Sequence, residues 1–94
     1  MTFDYDGGNL TVNVIDAGNV NALYVENQDE PIQDANVTDR RGWEPTVDSD
    51  NRAVNNNPDG GDSVVIEGVY KDDDVAVIGA IDDEEALLDA WELE

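Results

Sequence analysis

The chain has 94 residues, of which 24 are Asp or Glu and only 4 are Lys or Arg, with no His and no Cys, giving a formal charge of −20. Its 39% hydrophobic content suits a single domain, residues 1–94, with a modest core. That charge excludes a binder of the nucleic-acid backbone or of an anionic membrane surface, both of which repel it.

Phe3 and Tyr5 alternate with Asp4 and Asp6, and Gly7-Gly8 offers a turn. Leu10, Val12 and Val14 then alternate with Thr11 and Asn13, so an edge strand and a half-buried strand are predicted. Asp16-Ala17-Gly18-Asn19 is the next turn, with Gly18 and Asn19 able to take positive φ. Val20 to Val25 reads as a further strand, antiparallel to the one before it, with Ala22 and Tyr24 on one face and Leu23 and Val25 on the other.

From Glu26 onward Asn, Asp, Pro and Gly dominate, and 27–61 is expected to be a long irregular loop region with short strands near Ala35–Thr38 and Thr46–Val47. Within it Arg40-Arg41-Gly42-Trp43 sets two bases beside a Trp. Two readings fit: Trp43 plugs the end of the fold while Arg40 and Arg41 neutralise nearby acids, or the segment is a partner-binding tip.

Asp62 to Ile81 carries the densest run of β-branched and small apolar residues, broken by Lys71-Asp72-Asp73-Asp74, and is predicted to be a β-hairpin. Its second arm has no charge. Val75, Val77 and Ile81 point one way and Ala76, Ile78 and Ala80 the other, so both faces need cover, one of them from neighbouring strands or another subunit. Asp82 and Glu85 have capping-box spacing ahead of Leu87, Leu88 and Trp91, which fits a helix. The same stretch fits a last strand entered through an Asp82–Glu85 turn, and periodicity alone does not decide, because Asp89 then shares a side with Leu87 and Trp91.

Catalytic chemistry is not expected, and no catalytic or cofactor-binding residue is assigned. Without His or Cys, and with Ser and Thr remote in sequence from Lys, no acyl-transfer constellation can be drawn. Gly7-Gly8 and Gly60-Gly61 lack the spacing and the Lys of a phosphate-cradling loop. Asp48-Ser49-Asp50-Asn51 opens like a calcium loop, but Ala53 stands where the loop needs Gly and the closing acid is missing. Asp59 with Asp62, and Asp72 to Asp74, are the weak candidates for holding a hard cation, against the plainer reading of loosely bound ions at a salt-adapted surface. Asn9-Leu10-Thr11 and Asn36-Val37-Thr38 fit the glycosylation sequon, and Asn36, in the loop region, is the better candidate.

The acids recur from Asp4 to Glu94 in turns and between apolar residues, and only Lys71 of the four bases is Lys. This composition resembles that of haloarchaeal proteins adapted to molar salt. Near 1 M salt the screening length falls to about 3 Å, so dense carboxylates barely repel one another, whereas at low salt the same surface strains the fold. An acidic mimic of nucleic acid is the competing reading, but mimicry concentrates acids on one element.

The order FDYDGGNLTVNVIDAGNVNALYV, then GGDSVVIEGVYKDDDVAVIGAI, then EALLDAWEL resembles the β-sandwich head domain of haloarchaeal type IV pilins and related archaeal surface and virion proteins. The likeness covers about the first quarter and last third of the chain and rests on motifs that are also common β-strand grammar. Ile15-Asp16 departs from the His often found before the first turn, the middle segment is longer, and the hydrophobic helix by which pilins are exported and polymerised is absent. The resemblance implies a strand for the C-terminal segment.

The fold expected is all-β, an antiparallel Ig-like β-sandwich of six to seven strands, with a core of Leu10, Val12, Val14, Leu23, Val25, Val64, Ile66, Val75, Val77, Ile78, Leu88 and Trp91. The function expected is that of a non-enzymatic structural protein without cofactors, a virion component such as a capsid-decorating, turret or tail protein of a haloarchaeal virus. Such proteins assemble inside the cell and need no signal, which fits a chain with none at Met1. A pilin-like head of an extracellular filament is the alternative. The expected partners are further copies or other structural subunits, with Trp43, Arg40, Arg41, Ile78 and Ala80 as interface candidates.

Overall fold

A computed structural model describes residues 1–91. It contains eight strands: β1 (Thr2–Asp6), β2 (Asn9–Asn13), β3 (Ala22–Asn27), β4 (Val37–Arg41), β5 (Ala53–Asn56), β6 (Ser63–Glu67), β7 (Val75–Ile81) and β8 (Glu84–Trp91). They form two antiparallel four-stranded sheets, ordered β1-β2-β6-β4 and β5-β3-β7-β8, which pack face to face as a β-sandwich. The sandwich is thus as expected, with eight strands in place of six to seven.

The β1–β2 hairpin forms where alternation places it. Gly7 and Gly8 close it at φ 57° and 96°, the left-handed pair that tight hairpin turns use to match strand twist. Beyond it, strands adjacent in sequence part company. β2 pairs with β6 in the first sheet, while β3 pairs with β5 and β7 in the second.

The hairpin expected over Asp62–Ile81 does not exist: β6 pairs with β2 and β4, and β7 with β3 and β8. The reason lies in the connection. Val69 turns into the core at 2% exposure, and its N–H donates to the Gly8 carbonyl at 2.9 Å. Asp73 is buried too; its carboxylate accepts from Tyr70 N–H and from Asn27 Nδ2, each at 2.9 Å. These bonds tie one end of the connector to the first sheet and the other to the end of β3, so the chain arches between sheets.

The middle segment is more ordered than its composition suggests. It holds β4, a short 3-10 turn at Asp34–Asn36 and β5, while Thr46–Val47 forms no strand. β5 is an Asn-rich strand whose Asn55 is fully buried and donates to Asp62 at 2.9 Å.

Inward residues of both sheets make one core, in which Leu10, Val12, Val14, Val64 and Ile66 meet Leu23, Val25, Val75, Val77 and Trp91. Ile32, Val37, Trp43, Ala53 and Val69 join them from the loops and edge strands. Two residues assigned to the core lie elsewhere: Ile78 is half-buried on the outer face of the second sheet, and Leu88 stays 47% exposed.

The C-terminal segment is a strand as far as Trp91, entered through the Asp82-Asp83 turn; residues 92–94 lie outside the described residues. Its register shifts between Val77 and Ile78, which pair with Asp89 and Leu87 and leave Leu88 bulged out between them. The bulge resolves the conflict in the sequence. Asp89 stays in phase with Trp91, whereas Leu87 is moved to the opposite, outer side with Ile78.

Candidate functional site

The feature that distinguishes this sandwich from a plain scaffold lies on the outer face of β5-β3-β7-β8. Because Leu23, Val25 and Val77 face the core, their neighbours Tyr24, Ala76, Ile78 and Ala80 face outward. Ala76 and Ala80 are already buried by the chain's own side chains, Ile78 is half-buried, and Leu87 beside it is 65% exposed.

Arg52 lies across this face. It precedes β5 at one edge of the sheet, and its guanidinium carbon stands 4.1 Å above the centre of the Tyr24 ring. From there it reaches Glu85 on β8, the other edge, with Nη1 3.0 Å from Oε1 and Nη2 3.4 Å from Oε2. Its Nε donates to Asp48 at 2.9 Å, and Asp50 lies 3.6 Å from Nη2. Burial alone lowers the guanidinium pKa; hydrogen bonds and charge from Glu85 and Asp48 outweigh that and hold it above its ordinary value. Every ion pair among the described residues runs through this one side chain.

Arg52 also accounts for the calcium-like stretch. Asp48 Oδ1 accepts from the N–H groups of Asp50 and Arg52, and Oδ2 accepts from Arg52 Nε. The loop closes on a guanidinium of its own.

The basic pair earlier in the chain behaves differently from either sequence reading. Trp43 is buried in the core at 5% exposure, as a plug would be, and offers almost no surface to a partner. Arg40 and Arg41 are exposed and form no ion pair among the described residues; Arg40 Nη1 donates instead to the Val37 carbonyl at 3.2 Å. Neutralisation of nearby acids falls to Arg52.

The carboxylates offered as cation ligands are dispersed or already engaged. Asp62 Oδ2 accepts from Asn55 Nδ2 and from Asp59 N–H, both at 2.9 Å, clamping the turn before β6. Asp72 and Asp74 are exposed, and Asp74 N–H donates to Asp29. No three acids stand together as a metal-holding group among the described residues.

A cleft of about 310 Å³ opens at one end of the sandwich, between Ile32, Gln33 and Asn36 on one side and Ile66, Glu67 and Val69 on the other. Asn36 lines it half-buried, with Oδ1 accepting from Gln33 N–H at 2.9 Å. As a glycan acceptor Asn36 is therefore partly committed to its own turn, whereas Asn9 is exposed on β2.

Sequence reasoning missed Arg52, Glu85 and Leu87. The one available signal was Asp48 four residues before Arg52, a spacing that suits a local ion pair. Comparison of the chain with protein-family models, with curated proteins and with solved structures finds no match.

Proposed function

We propose that this protein is a non-enzymatic structural subunit of a repetitive extracellular assembly in a high-salt environment, and specifically a virion component of a haloarchaeal virus. The observation that carries the reading is the distribution of charge over the fold. Exposed carboxylates occupy strands and turns of both sheets around a mainly apolar inner layer, while Arg52, the one base in ion pairs among the described residues, holds the sheet's outer face together. Such a surface is soluble and stable where salt screens it, and its sign leaves a lattice neighbour, not a nucleic acid, as the natural partner. The pilin-like head is the second reading and differs in the symmetry of the assembly.

The test is electron microscopy of the protein, and of particles from its native source, in molar salt, together with thermal unfolding across a salt series. Cage symmetry supports the virion, helical symmetry the filament. A one-to-one complex with a basic protein supports the mimic and overturns both. The melting temperature is expected to climb steeply with added KCl; a flat response rejects the high-salt setting.

A further inference from the structure

We propose that β8 is a self-pairing edge, joining the same strand of a second copy antiparallel about a two-fold axis through Ala86, so that two four-stranded sheets become one of eight. The proposal deepens the assembly reading above and rests on it.

The backbone of β8 is what points there. Glu84 faces Ile81 across the two-residue turn, so its N–H and C=O bond back to β7. Alternation then directs the N–H and C=O of Glu85 and Leu87 away from the sheet, and those of Ala86 back into it. Beyond Leu87 the edge is closed, first by the bulge and then by Asp89, whose carboxylate accepts the Ala90 N–H at 2.9 Å. What remains open is one short stretch with two outward-facing residues and a small one between them. A two-fold through Ala86 sets Glu85 of one copy opposite Leu87 of the other and satisfies the outward groups of both residues in both copies.

Charge selects the partner. For a chain at −20 the obstacle to self-pairing is carboxylate meeting carboxylate. The acid nearest this axis, Glu85, is the one bound through both oxygens by Arg52. The residue on the axis is neutral. Leu87, 65% exposed in the single copy, comes to lie against its counterpart and the Glu85 stem.

The other edges are less fit. The equivalent axis on β1 passes through Asp4, exposed and without an ion pair among the described residues. β4 is broken by a register shift, with Asp39 at φ 44°. On β5 the Val54 carbonyl is taken by Glu44 N–H.

Two variants and one control test the pairing by sedimentation at about 1 M KCl, where screening is nearly complete. Leu87→Pro removes an N–H that points away from β7 and so spares the fold's own ladder; it is expected to lose the dimer that the unaltered chain forms. Ala86→Cys introduces the chain's only thiol at a pair whose Cα atoms stand about 4.5 Å apart, within disulfide reach. It is expected to oxidise to a covalent dimer, and Ala90→Cys, also exposed but remote from its counterpart, is not. A dimer that survives Leu87→Pro, or equal cross-linking at 86 and 90, overturns the β8 contact while leaving assembly by other surfaces intact. An unaltered chain that stays monomeric in high salt overturns both readings.

Discussion

Leu88 lies over Gly79, its Cδ1 2.7 Å from the point where a β-carbon on that glycine would stand, with Val20 Cγ1 2.9 Å away on the same side. β7 at this point has Leu23 on one side and Ala86 on the other, so it cannot move aside. The bulge that releases Leu87 outward turns Leu88 over this space, and only a residue without a side chain leaves room for it.

Gly79→Ala is therefore expected to destabilise the fold by about 1–3 kcal/mol, the usual cost of forcing a methyl group into occupied space. Leu88→Ala in the same chain is expected to recover part of that loss, because the clash is mainly with a flexible end. Urea unfolding of the two single variants and the double variant measures the coupling. Strictly additive effects would mean that Leu88 does not fill the space over Gly79.

Arg52→Gln removes the tie between Asp48 and Glu85 and the stack on Tyr24 together. With Glu85 partly exposed the ion pair itself is screened, so a loss of about 1–2 kcal/mol is expected, larger in dilute buffer than in concentrated salt. Arg52→Lys is expected to restore little of it, since an ammonium cannot bind both Glu85 oxygens while lying flat on the ring. The guanidinium pKa is raised on folding. A raised value means that the stabilisation is fully present below the group's ordinary pKa and declines only as pH climbs through the higher, folded value. The stability difference between the unaltered chain and the Arg52→Gln variant should accordingly stay level from neutral into mildly alkaline solution, and a difference that collapses there would contradict the arrangement.

Asn55→Asp tests the buried amide on β5. Asn55 is fully enclosed and gives its Nδ2 hydrogen to the Asp62 carboxylate at 2.9 Å. An aspartate there sets a fully buried carboxylate against the half-buried one of Asp62, and the expected loss is about 3–5 kcal/mol. Chemical denaturation at neutral pH reads it, and partial recovery in mild acid, where one of the pair takes a proton, distinguishes charge repulsion from lost packing.

Much of the architecture was legible because alternation is a local signal. Leu10, Val12 and Val14, and the division of β7 into Val75 and Val77 against Ala76, Ile78 and Ala80, needed only neighbouring residues to interpret. Strand partnership was not legible. Nothing in Lys71-Asp72-Asp73-Asp74 distinguishes a hairpin turn from an arch, because the deciding contact is between Asp73 and Asn27, far away in sequence. β5 reads as loop because Asn is a turn residue by habit; here Asn55 is a strand residue whose Nδ2 donates to Asp62. The candidate surface was hidden for the same reason. The orientation of Leu87 depends on a bulge, and the role of Arg52 on Glu85, 33 positions later.

The strand order also bears on how the protein is made. β6 joins β2 to β4, and β7 joins β3 to β8, so one of the two central strands of each sheet leaves the ribosome only after β1 to β5. Until β6 and β7 do, a nascent chain holds only two ribbons, β1–β2 and β3–β5, each too small to persist in water. Leu10, Val12, Leu23 and Val25 wait uncovered until β6 and β7 are made, while Asp4, Asp6, Asp16 and Glu26 around them set charge against clumping.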